Sequence, residues 1–131
     1  MKKLIKVFVL ASLLLAALTA CGAANEVNLE AGDNGSQVEL NTGQTLVISL
    51  EGNPTTGYTW EVAELDEAVL KQVGEVEFEQ EDTGDVGVGG VQILRFESVS
   101  TGQTDLELVY HRSWEEDEEP LKTFSVQVVV P

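Results

Sequence analysis

Residues 105–110 read DLELVY and residues 123–130 read TFSVQVVV, and in both stretches every second side chain is apolar. Successive side chains of a strand point to opposite faces, so this period of two gives each stretch one apolar and one mostly polar face. The same alternation recurs in residues 45–50, 75–79 and 94–97, and shorter runs near residues 37–40 and 58–62 suggest two more strands. The sequence therefore predicts an all-β domain of half-buried antiparallel strands.

The number and spacing of these runs favour one architecture. Seven to eight short strands in about a hundred residues are typical of an immunoglobulin-like antiparallel β-sandwich. Trp60 lies in the third predicted strand, where such sandwiches often bury a tryptophan. A small β-barrel is the alternative architecture. Residues 63–70 are the one helical candidate, of a turn or two at most.

The first 20 residues have the composition of an export signal. Lys2, Lys3 and Lys6 give a basic start, and residues 7–18 are apolar and uncharged, too short a run for a comfortable membrane span. The run ends in Leu18-Thr19-Ala20-Cys21, which resembles the lipobox of bacterial lipoproteins, where the cysteine is acylated and becomes the mature N-terminus. The alternative is an ordinary cleaved signal with a cysteine nearby by chance.

This reading divides the chain into a lipoprotein signal peptide (residues 1–20), a flexible acidic tether (residues 21–35) and one immunoglobulin-like domain (residues 36–131). Cleavage before Cys21 leaves 111 residues, which can hold a single core without a disulfide. Cys21 is the only cysteine, so no thiol remains for catalysis. We expect lipid on Cys21 to anchor an exported, monomeric domain in the bacterial cell envelope, on the outer face of the cytoplasmic membrane or at the outer membrane.

The charge of the mature chain limits its partners. Four basic residues, Lys71, Arg95, Arg112 and Lys122, stand against 23 acidic ones, a net charge of −19. Such a field repels nucleic acid and anionic lipid headgroups alike. Nucleic acid is therefore excluded as a partner.

Three connections differ from ordinary turns: a first loop at residues 52–60 (GNPTTGYTW), a second at residues 83–90 (TGDVGVGG) and a third that begins at residues 111–114 (HRSW) and continues into an acidic run. Strands that alternate in direction bring these three loops to one end of a sandwich, the end where antibody variable domains carry their binding loops. An aromatic anchor, glycines and small polar residues are typical of a binding surface.

The first loop has the chemistry of a pre-formed ridge. Pro54 fixes its own φ and biases Asn53 toward an extended conformation. Gly57 can adopt a positive φ, and Thr55 and Thr56 are β-branched and stiff. Such a ridge loses little entropy on binding. A plain structural turn between two strands is the alternative interpretation.

These loops carry a family resemblance over residues 38–130. Asn53, Pro54, Thr55, Thr56, Gly57 and Tyr58 resemble the signature loop of the chagasin family of cysteine peptidase inhibitors. Gly87, Gly89 and Gly90 with Phe96 beyond them, and Arg112 with Trp114, resemble its second and third motifs in the expected order. Ser113 stands where the family usually has proline, so we expect a less rigid third loop and an altered affinity.

The resemblance implies an immunoglobulin-like fold that blocks papain-like cysteine peptidases without chemistry of its own. The first loop would enter the centre of the active-site cleft, with Thr56 nearest the catalytic Cys–His pair of the target. The loops around Gly89 and around Arg112 and Trp114 would hold the cleft walls. It implies a papain-like peptidase as partner, no cofactor, no metal and no catalytic residue.

The sequence offers three alternative functions. A hydrolase would need more than His111, the only histidine, with Ser113 two residues away. A calcium site at residues 115–119 (EEDEE) lacks the glycine and the ligand alternation of a calcium loop, so a solvated loop is the better interpretation. The remaining alternative is a lipid-anchored adhesion or assembly module that binds a non-peptidase protein through the same loops.

Overall fold

The computed structural model describes residues 25–80, 89–115 and 117–131. These ranges contain nine strands, two 3-10 turns and no α-helix. The strands are β1 (Glu26–Leu29), β2 (Gln37–Glu39), β3 (Thr45–Gly52), β4 (Thr59–Glu64), β5 (Leu70–Gln72), β6 (Glu77–Gln80), β7 (Gly90–Ser98), β8 (Gly102–His111) and β9 (Lys122–Val130). No helix in this part of the chain is long and apolar enough to cross a membrane. The predicted signal peptide and Cys21 lie outside the described residues.

The strands form two sheets. One has the order β1-β3-β7-β5, with β6 also paired to β7, and the other has the order β2-β9-β8-β4. The central pairs are antiparallel, whereas β1 pairs with β3, and β2 with β9, in parallel. The predicted all-β, immunoglobulin-like sandwich is confirmed, and the separation into two sheets rules against the small barrel.

The core lies between the sheets and follows the period of two read from the sequence. Buried side chains alternate along β3, β7, β8 and β9, and they are Leu46, Ile48, Leu50, Leu94, Phe96, Leu106, Leu108, Tyr110, Phe124, Val126, Val128 and Val130. Trp60 of β4 joins them and is 4% exposed, as predicted. Burial of these side chains is the main favourable term for this fold.

The predicted tether is wrong over residues 26–35. β1 pairs with β3 there, and Leu29 is buried in the core. A 3-10 turn at Ala31–Asp33 follows, and the Gly35 amide donates to the carbonyl oxygen of Ser125. The folded domain therefore begins about ten residues earlier than the sequence suggested.

The helical candidate at residues 63–70 is also wrong. β4 continues through a bulge to Glu64, and a tight turn at Asp66 then leads into β5. The Asp66 carbonyl oxygen accepts from the amides of Val69 and Leu70, and the Asp66 amide donates to Thr104 Oγ1 at 2.9 Å. Leu70 then pairs with Ser98 of β7 and is fully buried. β1 and β5 account for the two strands beyond the seven read from the sequence.

Candidate functional site

The strand registers bring the strand ends that flank the three unusual loops to one end of the sandwich. Gly52, the last residue of β3, pairs with Gly90, the first residue of β7. In the other sheet Tyr110, near the end of β8, pairs with Trp60 near the start of β4 and with Lys122 at the start of β9. We call this end of the sandwich the tip.

The first loop is a single 3-10 turn, Pro54–Thr56, whose three residues are exposed. Asn53 caps it in an extended conformation with φ −136°, and its Oδ1 accepts from the Thr55 amide at 3.2 Å. Thr56 Oγ1 donates to the Asn53 carbonyl oxygen at 2.7 Å. Gly57 closes the turn with φ 88°, a left-handed conformation that favours glycine. The structure therefore contains an ordered turn at the predicted ridge.

Two buried side chains with polar groups, Tyr110 and Gln92, hold the two ends of this ridge. The Asn53 amide donates to Tyr110 Oη at 2.9 Å, which ties the start of the loop in one sheet to β8 in the other. At its far end, Gln92 Oε1 accepts from the Trp60 amide at 3.2 Å, and Gln92 Nε2 donates to Thr59 Oγ1 at 3.0 Å. Gln92 is 3% exposed. Hydrogen bonds between the two sheets therefore support both ends of the ridge.

Gln92 and Tyr110 were not among the residues predicted to form the site. A signal for Gln92 is present in the sequence, because it is a polar residue at an inward-facing position of a strand that otherwise buries Leu94 and Phe96. Buried polar groups require partners, so such a residue indicates a structural hydrogen bond. Its partners could not be read from the sequence, since Trp60 is 32 residues away.

The third loop packs against the side of the ridge. Arg112 Nε donates to the Thr56 carbonyl oxygen at 3.1 Å, and its guanidinium lies 4.5 Å from the centre of the Tyr58 ring. A Cβ at Gly57 would come within 2.4 Å of Trp114 Cη2, so the indole lies directly on the ridge backbone. Trp114 nevertheless remains 68% exposed. The two loops present one continuous surface.

Arg112 also forms an ion pair within the third loop. Its Nη1 donates to Glu115 Oε1 at 3.0 Å, and the Glu115 amide closes the turn by donating to the Arg112 carbonyl oxygen. The hydrogen bond to Glu115 is the main cause that raises the pKa of Arg112 above its ordinary value. Arg112 is therefore fully charged at any physiological pH.

Only the end of the second loop belongs to the described residues, and Gly87 lies outside them. Gly89 borders the base of the ridge, since a Cβ there would lie 3.6 Å from the Gly52 carbonyl oxygen. Gly90 is buried, and a Cβ on it would approach the Glu79 carbonyl oxygen to 2.1 Å. The structure thus gives Gly90 a packing role between β6 and β7, and a contact with a partner stays a prediction there.

The residues that a hydrolase or a calcium site would use lie in ordinary structural positions. His111 ends β8, with its Nε2 3.1 Å from Glu61 Oε2, whereas Ser113 lies beyond the strand in an exposed turn. Asp117, Glu118 and Glu119 are exposed. Among the described residues, no group of three or more His, Cys, Asp or Glu side chains is placed to hold a metal ion.

Comparisons with known proteins agree with this arrangement. Residues 39–128 match the model of the chagasin family peptidase inhibitor, I42. Amoebiasin-1 of Entamoeba histolytica is 31% identical over 104 residues, which cover 79% of this chain and 99% of the relative. The crystal structure of the cysteine protease inhibitor EhICP2 from Entamoeba histolytica superposes with a TM-score of 0.72 at 23% identity, covering 81% of this chain and 96% of that one.

A third comparison includes a bound partner. PbICP-C, solved in complex with falcipain-2, superposes with a TM-score of 0.51 at 19% identity, over 82% of this chain and 99% of that one, which is a likeness of fold. The family match spans well over half of the present sequence, and the first and third loops meet at the tip beside the described end of the second. The chain belongs to the chagasin family of peptidase inhibitors.

Proposed function

We propose that this protein is a reversible inhibitor of papain-like cysteine peptidases, and that the tip blocks the active-site cleft of the target. The observation that carries the proposal is the ridge Pro54–Thr56, which is exposed at its apex and fixed at its base and side. EhICP2 is described as a cysteine protease inhibitor, and PbICP-C binds falcipain-2, which supports the same class of target here.

Inhibition by this tip needs shape and no reaction. The ridge is a tight 3-10 turn with hydrogen bonds from Thr55 and Thr56 to Asn53, so its backbone is not extended as a substrate strand is. Thr56 lies at the apex, where it would approach the catalytic Cys–His pair, while Trp114 and the end of the second loop flank it. A turn already fixed before binding loses little entropy, so more of the contact energy appears as affinity.

The direct test is a titration of purified papain-like peptidases with the mature protein. We expect stoichiometric loss of turnover, full recovery of activity on dissociation, and an unmodified target thiol. A protein that binds a non-peptidase partner as an adhesion module would leave turnover of every such peptidase unchanged. The titration also gives the stoichiometry, for which we propose one monomeric inhibitor per peptidase.

The proposal extends to location. We infer that the protein is exported and anchored through lipid on Cys21, because the run Leu18-Thr19-Ala20-Cys21 resembles a lipobox and the mature domain has no other cysteine. An acylated N-terminus would hold the tip, which lies at one end of a short domain, within reach of peptidases at the cell envelope.

Replacing Cys21 with Ser tests the anchor. The parent protein is expected in the detergent phase of a detergent-partition assay, and the Cys21→Ser variant in the aqueous phase, because the acylated residue is lost. Inhibition in solution should be the same for both proteins. Retention of the Cys21→Ser variant in the detergent phase would place the anchor elsewhere in the chain.

A further inference from the structure

Arg112 forms hydrogen bonds with both the first and the third loop at the tip. Its Nε bonds to the backbone of the first loop at Thr56, its Nη1 bonds to Glu115 in the third loop, and its guanidinium plane covers Tyr58. A guanidinium offers several donors in a rigid fork, so one residue can hold several groups at fixed angles. The position of the ridge relative to the third loop therefore depends on where this guanidinium is held.

Glu115 holds the guanidinium through Nη1, a different nitrogen from the Nε that donates to the ridge. The two side chains are about equally shielded, with exposures of 35% for Arg112 and 30% for Glu115, and their ion pair spans three residues of one turn. The Glu115 amide also closes that turn through the Arg112 carbonyl oxygen. A long arginine side chain has many rotamers in solution, and a second partner at 3.0 Å removes most of them.

Ser113, the residue after Arg112, makes the restraint from Glu115 necessary. Ser113 is exposed and does not restrict φ as a proline would, so the turn from Arg112 to Trp114 lacks the restriction of a proline ring. The described contacts that hold this turn are those of Arg112, the packing of Trp114 on Gly57 and the turn hydrogen bond of Glu115.

We propose that Glu115 is a positioning residue for inhibition, which locks the first and third loops into one rigid surface by holding Arg112 against Thr56 and Tyr58. The inference rests on the proposed function and deepens it. It assigns the rigidity of the third loop to the Arg112–Glu115 ion pair, because Ser113 does not supply that rigidity. Glu115 need not touch the peptidase, since it acts through Arg112.

The test compares Glu115→Ala with the control Glu39→Ala, which removes the same charge from an exposed position near the opposite end of the sandwich. Glu115→Ala is expected to weaken inhibition about three- to tenfold, in the range of a partly shielded ion pair, and to do so mainly through faster dissociation. Glu39→Ala is expected to leave the dissociation rate unchanged. Equal dissociation rates for the two variants would overturn the proposal.

Two further variants separate positioning from a direct contact. In an Arg112→Ala background, adding Glu115→Ala should have no further effect, because the residue through which it acts is gone. Adding Ser113→Pro to Glu115→Ala should restore most of the lost affinity, since a fixed φ replaces the missing restraint. A full additional loss in the Arg112→Ala background would show that Glu115 contacts the peptidase itself and would overturn the proposal.

A measurement without any peptidase distinguishes this inference from the proposed function. The time-resolved fluorescence anisotropy of Trp114 reports the motion of the third loop, in a Trp60→Phe background whose circular dichroism is first matched to that of the parent. Glu115→Ala should lower the order of Trp114, and Glu39→Ala should not. Unchanged order in Glu115→Ala overturns the inference, even if the parent protein inhibits. If Glu115→Ala lowers the order of Trp114 but the parent inhibits no papain-like peptidase, the proposed function is wrong. The coupling between the two loops is then still established.

Discussion

At the scale of single residues, the exposure of Trp114 is the feature of the tip that packing of the core does not explain. It keeps 68% of its side chain exposed although tryptophan is among the largest apolar residues, and it lies on the ridge backbone at Gly57. Large exposed aromatic residues are typical anchors of protein–protein interfaces. Under the proposed function, we expect Trp114 to fill a site on the cleft wall of the target.

Trp114→Ala is therefore expected to weaken inhibition by about 2 kcal/mol, roughly thirtyfold in the inhibition constant. Because the indole is exposed, the free energy of unfolding should change by less than about 0.5 kcal/mol. The inhibition constant and a urea titration measure the two quantities. Parent-like inhibition would mean that the third loop does not contact the target.

Local residue chemistry predicted the backbone of the ridge but not its supports. The extended Asn53, the proline that opens the turn and the positive φ of Gly57 follow from restrictions that each residue type carries wherever it stands. The partners of Gln92 and Glu115 depend on which strands become neighbours and on side-chain rotamers. The sequence carries that information only through the whole fold.

At the scale of secondary-structure elements, β7 supports the tip through Gln92. Its neighbours along the buried face, Leu94 and Phe96, pack into the core, whereas Gln92 bonds to the amide of Trp60 and the hydroxyl of Thr59 across the two sheets. The strand therefore contributes both to the core and to the geometry of the ridge.

Gln92→Leu should destabilise the protein by about 1–3 kcal/mol, because it leaves the buried Trp60 amide without its acceptor. Inhibition should also weaken, since the far end of the ridge loses its support. Gln103→Leu, at an exposed position of β8, serves as the control and should change the free energy of unfolding by less than about 0.5 kcal/mol. Equal stability of the two variants would show that the Gln92 hydrogen bonds contribute little.

Long strands with clear alternation were predicted correctly, as were the short strands β2 and β6, whereas β1 and β5 were missed. β1 has only four residues in an acidic, polar segment, and it is stabilised by pairing with β3 and by burial of Leu29. Residues 63–68 are rich in helix-forming Ala, Leu and Glu, yet the pairing of β4 with β8 continues through Glu64. In both places tertiary contacts outweigh weak local propensities.

At the scale of the whole molecule, the charge of the mature chain affects how it meets its target. Asp117, Glu118 and Glu119 are exposed beside Trp114 and lie at the rim of the proposed interface. Rim charges change the association rate and its dependence on salt more than the lifetime of the complex. An acidic rim favours a peptidase with basic surface around its cleft.

Neutralising these three side chains to Asn, Gln and Gln should flatten the salt dependence of the association rate toward such a peptidase, with the dissociation rate nearly unchanged. The control neutralises Glu26, Glu39 and Asp105, which are exposed near the other end of the sandwich, by the same kind of substitution. Stopped-flow measurements at several salt concentrations give the slopes. Equal slopes for the two triple variants would mean that the acidic run points away from the partner.

The central claim is that the apex of the ridge enters the active-site cleft, and one pair of substitutions tests it most directly. Thr56→Arg adds a large charged side chain at the apex, and Gln103→Arg adds the same side chain at an exposed position near the opposite end. Thr56→Ala completes the set, because it removes a hydroxyl that bonds within the turn and leaves the ridge in place.

The measurement is the inhibition constant of each variant against a papain-like peptidase that the parent inhibits, with circular dichroism as the check on folding. A tightly packed interface centre cannot accept an arginine, so Thr56→Arg should weaken inhibition on the order of a hundredfold or more. Thr56→Ala should weaken it no more than about tenfold, and Gln103→Arg should match the parent. If Thr56→Arg inhibits as well as the parent, the ridge does not enter the cleft and the account is contradicted.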